Sequence, residues 1–150
     1  RQMCIRDRDS KGVMSGNIHR KRTDPTSYEI NNKGREAITE YNVLKSGEYL
    51  SEILFLPKTG RTHQIRVHSA ENNNSIFGDK KYGGGKNKAK GYIPEVSKKF
   101  TEAILDFNRH ALHAKKITFI HPDKDDELSI DAPIPKDILK LQKQLKIINE

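Results

Sequence analysis

Residues 58–68 read KTGRTHQIRVH and follow the apolar run ILFL at residues 53–56. Gly60 breaks that run, and Thr62 stands where the N-cap of a helix would. Three apolar side chains would give the helix behind it contact with the rest of the protein: Ile65, Val67 and Ala70. The stretch therefore predicts a strand, a glycine turn and a short helix.

Basic and polar side chains crowd this turn and the start of the predicted helix. They are Lys58, Arg61, His63, Gln64 and Arg66. A helix N-terminus offers free backbone N–H groups and a partial positive charge, which together suit an anion. Arginine adds to this preference because a guanidinium pairs bidentately with a carboxylate or a phosphate. The pattern alone leaves two interpretations open: an anion-binding site, or an ordinary strand–turn–helix with a basic surface.

The composition indicates a single basic domain. The chain has 150 residues, of which 33% are hydrophobic and 32% charged, and its net charge is +8. A basic excess favours a polyanionic partner, since binding releases counterions. A membrane surface ranks below nucleic acid, because no basic amphipathic helix with aromatic anchors stands out. A single cysteine, Cys4, excludes an internal disulfide framework and fits a reducing compartment such as the cytoplasm.

The residues before the central turn predict an antiparallel hairpin. Residues 37–43 alternate between apolar and polar side chains, and residues 49–56 form a second β-rich run after a turn at 45–48. Residues 16–28 are polar and are predicted to be irregular. The four cations at 19–22 predict either a contact with an RNA backbone or a solvated loop.

The residues after the central turn predict further helices and strands. A helix is expected at 97–107, a strand at 110–120 and a hairpin turn into a strand at 128–130. The spacing of Ile138, Leu141, Leu145 and Ile148 predicts an amphipathic closing helix. The sequence thus predicts an α+β fold, with a mostly antiparallel sheet and helices packed on it.

Three separated blocks carry a resemblance to a known family. They are TGRTHQIRVH at 59–68 with GDKKYG at 78–83, then LHA at 112–114 with Phe119 and HP at 121–122, and APIP at 132–135. In this order the blocks resemble the signature of the RluA-type RNA pseudouridine synthases. The resemblance covers about residues 16–140 and corresponds to the C-terminal half of that family's catalytic domain.

The resemblance implies an activity and a set of site residues. Enzymes of this type cleave the N1–C1′ bond of a uridine, turn the base and rejoin it through C5, and no cofactor is implied. Arg66 matches the family arginine that pairs with the nucleophilic aspartate, and Asp79 matches a structural Gly-Asp pair. The predicted RNA-binding residues are Lys58, Arg61, His63, Gln64, Lys80 and Lys81. Within this set Arg61, Lys80 and Lys81 grip the backbone, while His63 and Gln64 shape the turn.

The sequence departs from the family pattern at its start. Residues 1–9 look non-native, so the domain is taken as 10–150. The family's nucleophile loop reads His-Arg-Leu-Asp, two residues, then Thr-Ser-Gly, and Asp7 echoes it only loosely because the residues before it are Cys4, Ile5 and Arg6. An N-terminal S4-like domain, common in relatives, is not recognised either. We therefore expect this chain alone to be inactive and its full-length parent to be an active monomer.

Other function classes remain open at this point. For the enzyme that the resemblance implies, the expected substrate is structured RNA, either ribosomal or transfer RNA. The alternative is a non-catalytic basic module that binds RNA on the same scaffold. A helix-turn-helix DNA binder is disfavoured, because no second helix is expected beside residues 62–72.

Overall fold

The computed structural model describes residues 10–47 and 49–145. Within these ranges the chain forms six strands: β1 (Lys11–Arg20), β2 (Tyr28–Ile30), β3 (Arg35–Ser46), β4 (Ser51–Pro57), β5 (Lys116–Ile120) and β6 (Glu127–Asp131). It also forms four α-helices there: α1 (Gln64–Glu71), α2 (Lys86–Ala89), α3 (Pro94–Phe107) and α4 (Lys136–Gln144). A 3₁₀ turn, Lys80–Tyr82, lies between α1 and α2. The segment 1–9 that the sequence set apart, with Asp7 in it, lies outside the described residues.

Four of the strands form one antiparallel sheet in the order β2-β1-β3-β4. β3 and β4 are the predicted hairpin, with Val43 opposite Ile53. β5 and β6 form a separate antiparallel pair, in which Ile117 lies opposite Ile130. The predicted α+β class with mostly antiparallel strands is confirmed. None of the helices in the described ranges is long and apolar enough to cross a membrane.

The prediction of an irregular segment at 16–28 is wrong for its first part, because β1 runs through to Arg20. Glycines conceal the strand in the sequence. The positions that alternate with exposed residues are Gly12, Met14, Gly16 and Ile18, so only two of the four are apolar side chains. A Cβ at Gly12 would lie 2.6 Å from the Tyr41 hydroxyl oxygen, so the tyrosine side chain fills that space. An apolar side chain of a neighbouring strand thus takes the place that an apolar side chain of β1 itself would fill, so the sequence of β1 alone does not show the alternation.

The predicted strand at 110–120 is also shorter than expected, because β5 begins only at Lys116. The guanidinium of Arg109 donates from Nη1 to the carbonyls of His110 and Leu112, at 3.3 and 3.1 Å. Since these carbonyls bind a side chain, this part of the chain runs as an ordered irregular segment. The predicted helix at 97–107 and the closing helix are confirmed as α3 and α4, and Ile148 lies outside the described residues.

Two apolar clusters fix the helices. Val67 of α1 packs with Ile18 and Ala37 of the large sheet, so α1 lies against that sheet. Phe100 and Ile104 of α3 form the second cluster, together with Ala89 of α2. The first cluster matters for function, because it holds the N-terminal end of α1 beside the end of β4.

Candidate active site around Arg66

Helix α1 begins one residue later than the predicted N-cap implies. Thr62 is exposed and does not cap the helix; the N-cap position is His63, with φ 56° and no side-chain hydrogen bond to the helix. Histidine is among the residues that tolerate this left-handed conformation. The Thr62 prediction was therefore wrong, and the turn is held instead by the side chain of Gln64.

Gln64 fastens the turn to β3 with its whole amide. Its Oε1 accepts from the Thr59 hydroxyl at 2.7 Å and from the backbone N–H of Arg61 at 3.0 Å. Its Nε2 donates to the carbonyl of Ile38 at 3.0 Å and to the Thr39 hydroxyl at 2.9 Å. Both lone pairs and both N–H groups are thus used inside the protein, and Gln64 is buried. These four hydrogen bonds hold the turn against β3.

A second tight turn delivers Asp79 to the same place. Gly78 has φ +78°, and a Cβ there would run into the carbonyl of Arg109, so only glycine fits. The Asp79 carboxylate then accepts from the backbone N–H groups of Lys81 and Tyr82, at 3.2 and 3.3 Å, and caps the 3₁₀ turn. This geometry explains why a glycine and an aspartate follow each other in the sequence.

Arg66 and Asp79 form a bidentate ion pair. Nε of Arg66 lies 2.7 Å from Oδ2 of Asp79, and Nη2 lies 2.8 Å from Oδ1. The Asp79 side chain is 1% exposed and that of Arg66 is 14% exposed. The guanidinium carbon also lies 4.8 Å from the centre of the Tyr82 ring, a cation–π contact. Two hydrogen bonds and one aromatic face therefore fix the plane of the guanidinium.

The pair keeps both partners charged. Burial alone would raise the pKa of Asp79, but the hydrogen bonds and the charge of Arg66 outweigh burial and lower it. The pKa of Arg66 is raised, chiefly by its hydrogen bonds to Asp79. At neutral pH the site therefore contains a fixed carboxylate and a fixed guanidinium.

The pairing leaves one edge of the guanidinium unused. The bonds to Asp79 occupy Nε and one N–H of Nη2, and no residue in the described ranges accepts a hydrogen bond from Nη1. A guanidinium has five N–H donors, so the edge formed by Nη1 and Nη2 can still take a second acid bidentately. Asp79 itself is a poor nucleophile, because it is buried and both its oxygens already accept hydrogen bonds. The structure supports the predicted structural role of Asp79.

An aromatic cluster adjoins the pair. The Tyr82 hydroxyl oxygen accepts the backbone N–H of Tyr28 at 2.9 Å and lies 2.8 Å from Nδ1 of His63. The Tyr82 proton is thus free to point at Nδ1, which favours a neutral imidazole with its proton on Nε2. Burial, together with the charges of Arg66 and Lys81, lowers the pKa of His63, which agrees with a neutral imidazole.

The predicted lysines are spread around the site. Lys80 and Lys81 follow Asp79 directly and are both exposed. The Lys80 ammonium donates to the Asn108 side chain at 3.3 Å, and that of Lys81 donates to the carbonyl of Thr26 at 3.2 Å. Lys81 thereby joins the loop between β1 and β2 to the 3₁₀ turn.

Two other predicted RNA-binding residues lie towards the sheet. Nε of Arg61 donates to the carbonyl of Glu36 at 2.9 Å, and the Lys58 ammonium pairs with the Glu40 carboxylate at 2.9 Å. The exposed ion pair of Lys58 contributes little to stability. The structure thus places His63, Arg66 and the two lysines of the 3₁₀ turn around Asp79 and Tyr82. The described contact of Lys58 is with Glu40 instead.

An open pocket of about 330 Å³ adjoins this cluster. Its walls come from the β1–β2 region, α1 and the 3₁₀ turn, and they include Lys21, Tyr28, Asn73, Lys81 and Tyr82. Sequence reasoning missed the two tyrosines. The signal for one of them was present, because Tyr82 belongs to the block at 78–83 that carries the family resemblance. Tyr28 carried no such signal, since its contact with Tyr82 depends on how the sheet and α1 meet.

Comparisons with known proteins agree with these features. Residues 3–71 match the family model described as RNA pseudouridylate synthase. Over 135 residues the chain is 38% identical to ribosomal large subunit pseudouridine synthase D of Blochmanniella floridana, covering 90% of this chain and 41% of the relative. The protein of the same name from Vibrio cholerae is 36% identical over 135 residues, with 90% and 40% coverage. An uncharacterized RNA pseudouridine synthase of Bacillus subtilis is 36% identical over 136 residues, with 89% and 39% coverage.

Solved structures share the fold. Human RNA pseudouridylate synthase domain containing 1 aligns with a TM-score of 0.63 at 24% identity, covering 85% of this chain and 50% of that one. Human RNA pseudouridylate synthase domain containing 4 aligns with a TM-score of 0.60 at 23% identity, covering 91% and 57%.

The chain spans about 40% of the length of the curated relatives it matches. The match to the family model includes the turn and the whole of α1, and the relatives extend it over most of the chain. The chain is therefore similar in sequence to RNA pseudouridine synthases over about 90% of its length, as its resemblance to the RluA-type enzymes implied.

Proposed function

We propose that the protein containing this chain isomerises uridine to pseudouridine in RNA. In this reaction the N1–C1′ bond breaks and the C5–C1′ bond forms, while C5 loses its proton and N1 gains one. Ribosomal RNA is the proposed substrate, because two of the relatives are named ribosomal large subunit pseudouridine synthases. A transfer RNA substrate, a monomeric state and a cytoplasmic location rest on the sequence and the family resemblance alone.

The observation that carries this proposal is the unused edge of the Arg66 guanidinium. In the RluA-type enzymes the arginine at this position pairs with the nucleophilic aspartate. A carboxylate on the Nη1–Nη2 edge would stay ionised and aimed at the uridine, because an opposite charge and two hydrogen bonds favour its charged form. We take that aspartate to lie outside the described residues, since Asp79 is buried and saturated.

The surface around this edge suits an RNA strand. A base inside a duplex or a stack has to be turned out before its C1′ can reach a carboxylate, and contacts to the backbone hold the strand meanwhile. Lys80, Lys81 and Arg61 are proposed to make these backbone contacts. Lys21 lines the same pocket, and His63 contacts two of its wall residues, Tyr28 and Tyr82, so both are proposed to add to these contacts. Lys58, which pairs with Glu40, is proposed as a further contact.

One observation favours the alternative of a non-catalytic RNA-binding module. Asp79 already satisfies the charge of Arg66, so the arginine could serve only to hold the 3₁₀ turn against α1. Only the enzyme removes the hydrogen at C5 of uridine, whereas the binding module only holds RNA, so one assay distinguishes the two functions.

The assay uses the complete gene product and RNA transcripts that carry tritium at C5 of uridine. Since C5 loses its hydrogen in the isomerisation, tritium release into water measures the reaction. We expect release by the wild-type protein, and a loss of at least about 100-fold for Arg66→Lys, which keeps the charge but cannot bridge two carboxylates. Lys124→Ala, in the exposed β5–β6 turn, serves as the control and should react normally. RNA binding without tritium release would instead support the non-catalytic module.

A further inference from the structure

The Asp79 carboxylate is the only described carboxylate in contact with Arg66, and it is held from three sides. Two backbone N–H groups of the 3₁₀ turn donate to Oδ1, Gly78 fixes the turn before it, and burial excludes water. A carboxylate anchored in this way cannot follow a moving partner. The guanidinium instead has to take the direction that Asp79 dictates.

That direction decides where the free edge of Arg66 points. A guanidinium is planar, so two hydrogen bonds along the Nε–Nη2 edge set the orientation of the Nη1–Nη2 edge as well. The Tyr82 ring, 4.8 Å from the guanidinium carbon, limits tilting out of that plane. Neither contact involves RNA or a reacting atom.

We propose that Asp79 is a positioning residue for catalysis, which aims the free edge of Arg66 at the nucleophilic carboxylate. The proposal rests on the proposed function, in which Arg66 is the catalytic arginine. It assigns the Gly78–Asp79 pair a part in the reaction rate in addition to its part in the fold. An error of about 1 Å in the position of a catalytic group can cost about 100-fold in rate, so the effect of losing Asp79 should be large.

The first test is Asp79→Asn in the complete gene product. Asparagine keeps the size and one oxygen for the N–H groups of the 3₁₀ turn, but presents an amide N–H₂ or a single neutral oxygen to Arg66. We expect kcat to fall about 100-fold, while the Kd for RNA stays within about twofold of wild type. A residue that only supports the fold would change the melting temperature and the amount of active protein. It would not change the kcat of the folded fraction, and a wild-type kcat for that fraction would overturn the proposal.

The second test holds even if Asp79→Asn folds poorly. In Arg66→Ala the side chain is replaced by added methylguanidinium, which should restore tritium release at least about 10-fold because Asp79 can bind and orient it. The double variant Arg66→Ala/Asp79→Asn lacks an unpaired buried charge and is expected to fold at least as well as either single variant. It should show no such restoration, and an equal restoration in both backgrounds would overturn the proposal.

The two proposals fail in different ways. Full activity of Arg66→Ala would contradict the catalytic role of the arginine and with it the proposed function. An inactive Arg66→Ala combined with a fully active Asp79→Asn would contradict only the positioning role.

Discussion

Replacing Asp79 by alanine should destabilise the protein far more than its place on a short surface turn suggests. The substitution removes two charge-assisted hydrogen bonds and leaves Arg66, whose side chain is 14% exposed, without its partner. Removing one member of a buried ion pair costs about 3–5 kcal/mol, and the partial exposure of Arg66 places the cost for this pair at about 3 kcal/mol. Loss of the cap of the 3₁₀ turn adds about 1 kcal/mol. We therefore predict a loss of about 4 kcal/mol in the free energy of unfolding.

This loss is large enough to measure by heat or urea denaturation. For a domain of this size 1 kcal/mol corresponds to about 2–4 °C, so the melting temperature should fall by about 8–16 °C. Asp137→Ala is the matched control. Asp137 forms the same bidentate arrangement with Arg109, at 2.7 and 3.0 Å, but on the surface, where the side chains are 44% and 37% exposed. Its loss should leave the melting temperature nearly unchanged. Equal shifts for the two variants would refute the reasoning, because burial would then not matter.

Three further predictions concern other contacts of the site. His68 is buried, and burial lowers its pKa below the unfolded value of 6.5. Its effect on stability is therefore absent well above pH 6.5 and grows as the pH falls, so the free energy of unfolding should drop between pH 7 and 5.5 in urea denaturation. His68→Gln should reduce this slope and leave the part that comes from His63, whose pKa is also lowered. Gln64→Ala should cost about 3 kcal/mol in the same assay, because it leaves several buried groups of the turn and of β3 without partners, and a loss near zero would contradict the network. Lys81→Ala should weaken RNA binding and reduce the slope of log affinity against log salt by about 1, whereas an unchanged slope, as expected for Lys124→Ala, would remove Lys81 from the RNA surface.

The sequence was sufficient where local patterns decide the structure. The alternation at 37–43 predicts β3, the β-rich run at 49–56 predicts β4, and the apolar spacing in 97–107 predicts α3, all of which the structure confirms. The three blocks of the family signature predicted a similarity to the RNA pseudouridine synthases, which the comparisons confirm. These features depend on residues that are close together in the chain.

The sequence was insufficient where a contact joins distant residues. β1 was missed because Gly12 and Gly16 leave room for side chains of the neighbouring strands, which no local pattern reveals. Thr62 was predicted as the N-cap because hydroxyls often cap helices. In the structure the side chain of Gln64 holds the turn instead, through hydrogen bonds to the Arg61 N–H and to the Ile38 carbonyl of β3. The pairing of Arg66 with Asp79 spans 13 positions and two turns, so only the folded structure could supply it.

The most direct measurement of the central claim is a crystal structure of the complete gene product. We expect an aspartate oxygen about 3 Å from Nη1 or Nη2 of Arg66, on the Nη1–Nη2 edge that Asp79 leaves free and open to a cleft wide enough for a turned-out uridine. An Arg66 edge packed against other protein groups, with no second carboxylate in reach, would contradict it.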